Sequence, residues 1–181
     1  MPQFLTNEQA ALRITHRIDS FQVWDQYGQL LNMHDVKGKI HVANFFFTRC
    51  GVICPAMMQH LKKIVEPFRG DSSIVFISYS VTPWMDSVPV LNQYAIFNQY
   101  NLPQWHLCTG NTAAIYQLAR QSYFAEESLG YTKDSTDFLH TEHVLLVDPA
   151  LQLRGIYNAT LELDMQQLQK DIIQLRKESF H

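Results

Sequence analysis

Two cysteines stand four positions apart in the stretch Phe45-Phe46-Phe47-Thr48-Arg49-Cys50-Gly51-Val52-Ile53-Cys54-Pro55. An apolar, β-rich run precedes them. After Pro55 the apolar residues fall at helical spacing: Met57, Met58, Leu61, Ile64, Val65 and Phe68. The pair therefore belongs where a strand hands over to a helix N-terminus. A thiolate placed there gains from the positive end of the helix dipole and from unpaired backbone N–H groups. Arg49 adds a positive charge. Both cysteines are expected to ionise more easily than a free thiol. The spacing puts both sulfurs on one side of a helical turn, within reach of one ion or of each other as a disulfide. The plain alternative is two small core residues, since free Cys is commonly buried. The flanking strand, Pro55 and the helix weigh against it.

Two thiolates form a soft donor pair that favours Cu(I), Zn or iron–sulfur chemistry. A third ligand would close a trigonal copper site, and the 8 histidines are the candidates. His16, His34, His41 and His60 fall in predicted hairpin, strand or helix-surface positions, and His181 is terminal. These read as bystanders, and His106, in a short strand, as a packed or solvated side chain. His140 and His143 differ, because they lie at the start of the run Val144-Leu145-Leu146-Val147. Loops at strand ends face the sites of α/β sheets. Glu142 could accept a hydrogen bond from a ring N–H. Local chemistry leaves the choice between His140 and His143 open. Cys108 reads as a small buried residue, and Met57 and Met58 as core.

The elements that must position these groups follow from periodicity. Residues 21–24, a turn at 25–28 and residues 29–33 predict a hairpin. Residues 40–47 predict a strand buried on both faces, and 74–81 a second. Ser87 could cap a helix running to about Tyr100, with Leu91, Tyr94 and Asn98 on one line. A short strand at 105–108 and a helix capped by Asn111 come next. Residues 121–136 read as irregular, polar and mobile. Strand 143–147 stops at Asp148-Pro149, residues 151–157 pair back, and a last helix starts near Thr160. Strands alternating with helices, then a hairpin plus helix, predict an α/β protein with a mixed sheet covered by helices. A thioredoxin-like fold with an N-terminal β-hairpin and a loop insertion before the His-bearing strand meets that description.

Composition limits the function. The 181 residues suit one domain, read as an arm over 1–18 and a folded unit over 19–181. Hydrophobic residues at 46% and charged residues at 17% are globular proportions. A net charge of −3 is too mild for a nucleic-acid or anionic-membrane surface held by charge. The 3 cysteines exclude a disulfide scaffold. No apolar run approaches the ~20 residues of a membrane helix. The first residues show neither the charged nor the apolar region of a signal peptide. The chain is then cytoplasmic, or its start follows a removed leader or anchor.

On these residues the chain resembles the SCO/SenC family of copper-binding assembly proteins of cytochrome c oxidase. The matching stretches are Asn44-Phe45-Phe46-Phe47-Thr48-Arg49-Cys50 with Cys54-Pro55, and Asp35-Val36-Lys37-Gly38-Lys39 upstream. Others are Phe76-Ile77-Ser78-Tyr79-Ser80-Val81-Thr82-Pro83 with Asp86, and Trp105 with Thr109-Gly110. His140-Thr141, with Pro149 nine residues on and Arg154-Gly155-Ile156-Tyr157 after it, completes the match from about Ile18 to Glu178. The resemblance implies a thioredoxin-like fold and copper, as Cu(I) or Cu(II), held by Cys50, Cys54 and His140. The offset to Pro149 selects His140 over His143. It implies delivery to the dinuclear CuA centre of a copper-bearing cytochrome c oxidase subunit, or to another copper or thiol partner. It also implies a monomer on the periplasmic side of a membrane, tethered by an anchor outside this sequence. Three positions depart from the family pattern: Gly51 stands for a usual Pro, Thr82 for a usual Asp, and Leu139 for a usual Asp.

Other functions share this fold. In a thiol–disulfide oxidoreductase Cys50 would attack and Cys54 would resolve, with His140 tuning the thiolate. A peroxidase of the peroxiredoxin type would use Thr48 and Arg49 around a peroxidatic Cys50, and would not need His140. A non-catalytic binding module would need neither thiol.

Overall fold

The computed structural model describes residues 17–123 and 141–179. The strands among them are β1 Gln22–Trp24, β2 Leu30–Asn32, β3 Ile40–Phe46, β4 Ile74–Ser80, β5 Trp105–Cys108, β6 His143–Val147 and β7 Leu153–Asn158. The helices are α1 Met33–Val36, α2 Ile53–Val65, α3 Val88–Asn98, α4 Thr112–Gln117 and α5 Glu162–Ser179. Strands β1 and β2 pair as the expected antiparallel hairpin, with Val23 opposite Leu31. The central sheet has the order β5-β4-β3-β6-β7. Strands β3, β4 and β5 run parallel, while β6 and β7 are antiparallel additions beside β3. The expected mixed sheet is present.

Every residue of β3 and β4 is buried, which is why their sequences show no polar alternation. Ile40, Val42 and Phe46 join a core with α2, α3 and α5. Ala43 and Phe45 join the opposite core, with the hairpin and α4. The helical face also carries a buried polar seam across three strands. Trp105 Nε1–H donates to Ser78 Oγ at 2.9 Å, and Ser78 Oγ–H donates to Asn44 Oδ1 at 2.5 Å. The Asn44 amide meets Met58 Sδ at 3.5 Å.

Three elements differ from the sequence expectation. Helix α1 replaces the end of the predicted hairpin arm, because Asn32 and Asp35 form a capping box. Helix α2 starts at Ile53, two residues ahead of Pro55. Proline is tolerated there because its missing N–H is one that a first turn leaves unpaired. Gln121 and Ser122, expected to be irregular, close a wider π turn, Leu118–Ser122, that follows α4. Tyr123 beyond it is fully buried. Its hydroxyl lies 3.0 Å from His41 Nε2 and 3.1 Å from the Tyr79 hydroxyl. Three polar atoms buried together hold this segment in place, and a local polarity pattern does not reveal them. At the other end, Ile18 is buried and its N–H donates to Leu151 O at 2.9 Å.

Gly155 on β7 makes room for the Tyr157 ring, which lies where a Cβ would stand. The Tyr157 hydroxyl donates to Asp171 Oδ2 of α5 at 2.7 Å. Gly155→Ala must expel that ring and break the bond. The expected cost is about 3 kcal/mol, or a fall in Tm on the order of 10 °C for this size. Thermal unfolding followed by circular dichroism checks it; an unchanged Tm refutes it.

Candidate metal centre

The cysteine loop leaves the sheet at the end of β3. Val81 N–H donates to Phe46 O at 2.8 Å, so the end of β4 is tied to the loop's origin. Cys50 N–H donates to Phe47 O at 3.3 Å, which closes a tight turn over Phe47–Cys50. Helix α2 opens three residues later with Cys54 in its first turn. Cys54 N–H, free because it belongs to that first turn, donates to Cys50 Sγ at 3.4 Å. Both are free thiols. Cys54 belongs to the core with Met57 and Met58, while Cys50 is half-buried and packs against that core.

The two thiols are electrostatically unlike. Burial opposes ionisation of Cys50. The hydrogen bonds to its sulfur, from the Cys54 N–H, the Cys54 thiol and the Val52 and Ile53 N–H groups, outweigh that and hold it below the ordinary thiol value. Burial pushes Cys54 up to about 12. A hydrogen bond with the Phe47 backbone offsets part of this, while its hydrogen bond with Cys50 and the charges of Cys50 and Asp86 add to it. The expectation that both cysteines ionise easily is therefore corrected. Only Cys50 does, because its sulfur lies outside the helix end and collects the N–H groups. Cys54 turns into the core, where desolvation exceeds anything the dipole supplies. Arg49 is exposed.

Asp86, noted in the sequence only as part of a motif, is 1% exposed and sits beside this loop. Its carboxylate accepts the Thr48 hydroxyl and N–H, together with the hydroxyls of Ser80 and Thr82. Tyr94 of α3 was read from its spacing alone. Its phenol is raised by burial first, then by Tyr100, Cys54, Cys50 and Asp86, so it shares their surroundings. Sequence reasoning missed both, because neither spacing nor residue type links them to the cysteines. Val52, Ile53, Trp84 and Met85 leave apolar surface exposed on this loop, the start of α2 and the β4–α3 turn.

The histidines separate clearly. His34 is exposed. His41 is buried against Tyr123. His60 Nδ1 lies 2.7 Å from Ala159 O, and His106 Nδ1 lies 3.0 Å from Asp25 Oδ2. His143 opens β6, and its N–H donates to Thr141 Oγ1 at 3.1 Å. The Glu142 carboxylate lies 3.5 Å from Asn158 Nδ2 at the end of β7. His140 lies outside the described residues. Among the described residues no group of three His, Cys, Asp or Glu side chains is arranged to hold a metal. No described helix is long and apolar enough to cross a membrane. Cys108, Met57 and Met58 are fully buried, as expected of core residues.

Strand β6 runs antiparallel to β3 with Val144 opposite Asn44. Residues 141–143 therefore enter the sheet at the edge from which the cysteine loop leaves. This architecture is shared with solved structures. BsSco, described as a member of the Sco family of cytochrome c oxidase assembly proteins, superposes with a TM-score of 0.71 at 23% identity, over 90% of this chain and 94% of that one. Copper-bound ScoI of Bradyrhizobium japonicum superposes at 0.67 with 22% identity, over 87% and 98%. At these identities the likeness shows the thioredoxin-like fold. In sequence, the SCO1 protein homolog of Bacillus subtilis is 25% identical over 147 residues, which are 80% of this chain and 75% of the relative. The SCO1/SenC family model matches residues 10–176, almost the whole length. With that match added to the shared sheet and the placement of Cys50 and Cys54, the chain belongs to the SCO1/SenC family.

Proposed function

We propose that this protein is a copper metallochaperone. It carries copper as cargo on the thiolates of Cys50 and Cys54 and a ring nitrogen of His140, and delivers it to the CuA centre of a cytochrome c oxidase subunit. The observation that carries this reading is the free thiol pair joined by the Cys54 N–H to Cys50 Sγ contact at 3.4 Å. Two soft donors on one short loop suit Cu(I). The entry of residues 141–143 at the same sheet edge supports a third ligand from that part of the chain. The copper-bound relative and the assembly family support the cargo and its destination.

Cys54 keeps its proton at neutral pH, so loading must release it. Affinity should fall as pH falls. The test is competition for Cu(I) between a chelator and the reduced protein, for wild type and for Cys50→Ala, Cys54→Ala and His140→Ala. Each cysteine substitution is expected to weaken binding by more than ~100-fold, beyond the usual effect of losing an outer partner. Undiminished affinity in His140→Ala removes His140 from the site.

The split between the two thiols favours a second reading, a thiol–disulfide oxidoreductase. An ionisable, partly exposed Cys50 suits attack, and a protonated, buried Cys54 suits resolution. Cys54→Ser should then trap a mixed disulfide on Cys50; failure to trap any from a disulfide substrate counts against this role.

A further inference from the structure

Three hydroxyls and one backbone N–H converge on the two carboxylate oxygens of Asp86. Thr48 Oγ1–H donates to Oδ1 at 2.5 Å and Thr48 N–H to Oδ2 at 3.3 Å. Ser80 and Thr82 hydroxyls donate to Oδ2 at 2.6 and 2.9 Å. The Met85 and Asp86 N–H groups return to Thr82 O at 2.8 and 2.9 Å, which closes the turn that carries the carboxylate. Ser80 and Thr82 belong to this turn and to the strand before it. Thr48 alone belongs to the cysteine loop, two residues ahead of Cys50. Thr82 is itself buried. A carboxylate in its place would face Asp86 as a buried like charge; its hydroxyl instead supplies a donor.

We propose that Asp86 is a positioning residue for the cysteine pair: through Thr48 it anchors the loop so that the Cys50 sulfur stays on the Cys54 N–H. Hydrogen bonds to a buried carboxylate are strong and directional, and this is the one such anchor the loop has among the described residues. The loop needs it. Gly51 is its most flexible residue, and an added Cβ there would meet nothing within 4 Å. The inference rests on the copper reading for one of its two readouts and not for the other.

The experiment uses the full chain with Asp86→Asn, Thr48→Val, Thr48→Ser and the double variant Thr48→Val/Asp86→Asn. Gly155→Ala, on β7 and with no side chain on the loop, serves as a destabilised control. The first readout is the equilibrium constant for forming the Cys50–Cys54 disulfide in glutathione buffers. The second is affinity for Cu(I) alone against a chelator. Asp86→Asn and Thr48→Val should each lower both about tenfold, because a loosened loop holds the two sulfurs together less often. The double variant should be no worse than Asp86→Asn, as a shared linkage requires. Thr48→Ser should keep wild-type values in both, and so should Gly155→Ala despite its lower Tm. If Asp86→Asn does not fold, the comparison of Thr48→Val with Thr48→Ser decides. Wild-type values in Thr48→Val, or equal losses in Thr48→Ser and Thr48→Val, overturn the proposal. A wild type that binds no Cu(I) but shows the disulfide shifts overturns the copper reading and leaves this one standing. A wild type showing neither equilibrium overturns both.

Discussion

Iodoacetamide at pH 7.5 labels Cys50 of the reduced protein at least about thirtyfold faster than Cys54, and leaves Cys108 untouched while the protein stays folded. The margin follows from two opposing factors. Cys50 lies below the ordinary thiol value and Cys54 near 12, so their thiolate fractions differ by at least about a thousandfold. The more basic thiolate is intrinsically more nucleophilic, which returns a factor of roughly 20–30 over three pKa units. Ionisation wins, and the burial of Cys54 adds to the difference. Cys108 is fully buried, and burial raises it well above the ordinary value. The labelling rate should rise with pH and reach half its plateau below 9, the ordinary thiol value. Peptide mapping by mass spectrometry during the first minutes reads the result. Comparable labelling of Cys50 and Cys54 would sink the assignment of unlike thiols.

Acid should destabilise the fold through the buried His41. His41 is fully buried, and desolvation lowers it from 6.5 to about 3. Its Nδ1 is buried with no hydrogen-bond partner among the described residues, as only a neutral ring tolerates. Above pH 6.5 the ring is neutral folded and unfolded, and contributes no pH dependence. Below 6.5 the unfolded chain binds a proton that the folded one refuses, so stability falls as pH falls, until about 3. At about 1.4 kcal/mol per pH unit the loss reaches on the order of 5 kcal/mol by pH 3. That is a large part of the ~5–15 kcal/mol that holds a domain together. His41→Phe keeps a ring in β3 and removes the titration. It forfeits about 1 kcal/mol with the Tyr123 hydrogen bond, so it should be less stable than wild type at pH 7 and more stable below about pH 5.5. Urea unfolding of both proteins at pH 7, 5.5 and 4 checks the crossing. Parallel curves would show that His41 is not the acid-sensitive group.

Much of the fold could be read from the chain because its central strands are buried on both faces. Ile40 to Phe46 and Ile74 to Ser80 are runs that only a covered sheet accommodates. The short strand Trp105–Cys108 came out residue for residue. The cysteine pair was placed correctly between strand and helix, yet its chemistry was only half legible. Starting α2 at Ile53 instead of Pro55 puts Cys54 inside the first turn, facing Met57 and Met58, and desolvation then outweighs the dipole. Asp86 was named as part of a motif, but its tie to the cysteine loop could not be found by pattern. Its donors come from Thr48, Ser80 and Thr82, which are brought together only when β3 and β4 pair. The buried trio of His41, Tyr79 and Tyr123 escaped for the same reason. His140 was singled out by resemblance and lies outside the described residues.

The polar seam running from Trp105 through Ser78 to Asn44 acts as an alignment pin for the sheet. A slip of β3 against β4 by one residue would turn Asn44 to the opposite face and strand its amide, the serine hydroxyl and the indole N–H in hydrocarbon. The same slip would carry Thr48 out of step with Asp86. Three side chains deep in the interior thereby calibrate the height at which two loops, 38 residues apart in sequence, meet at the rim.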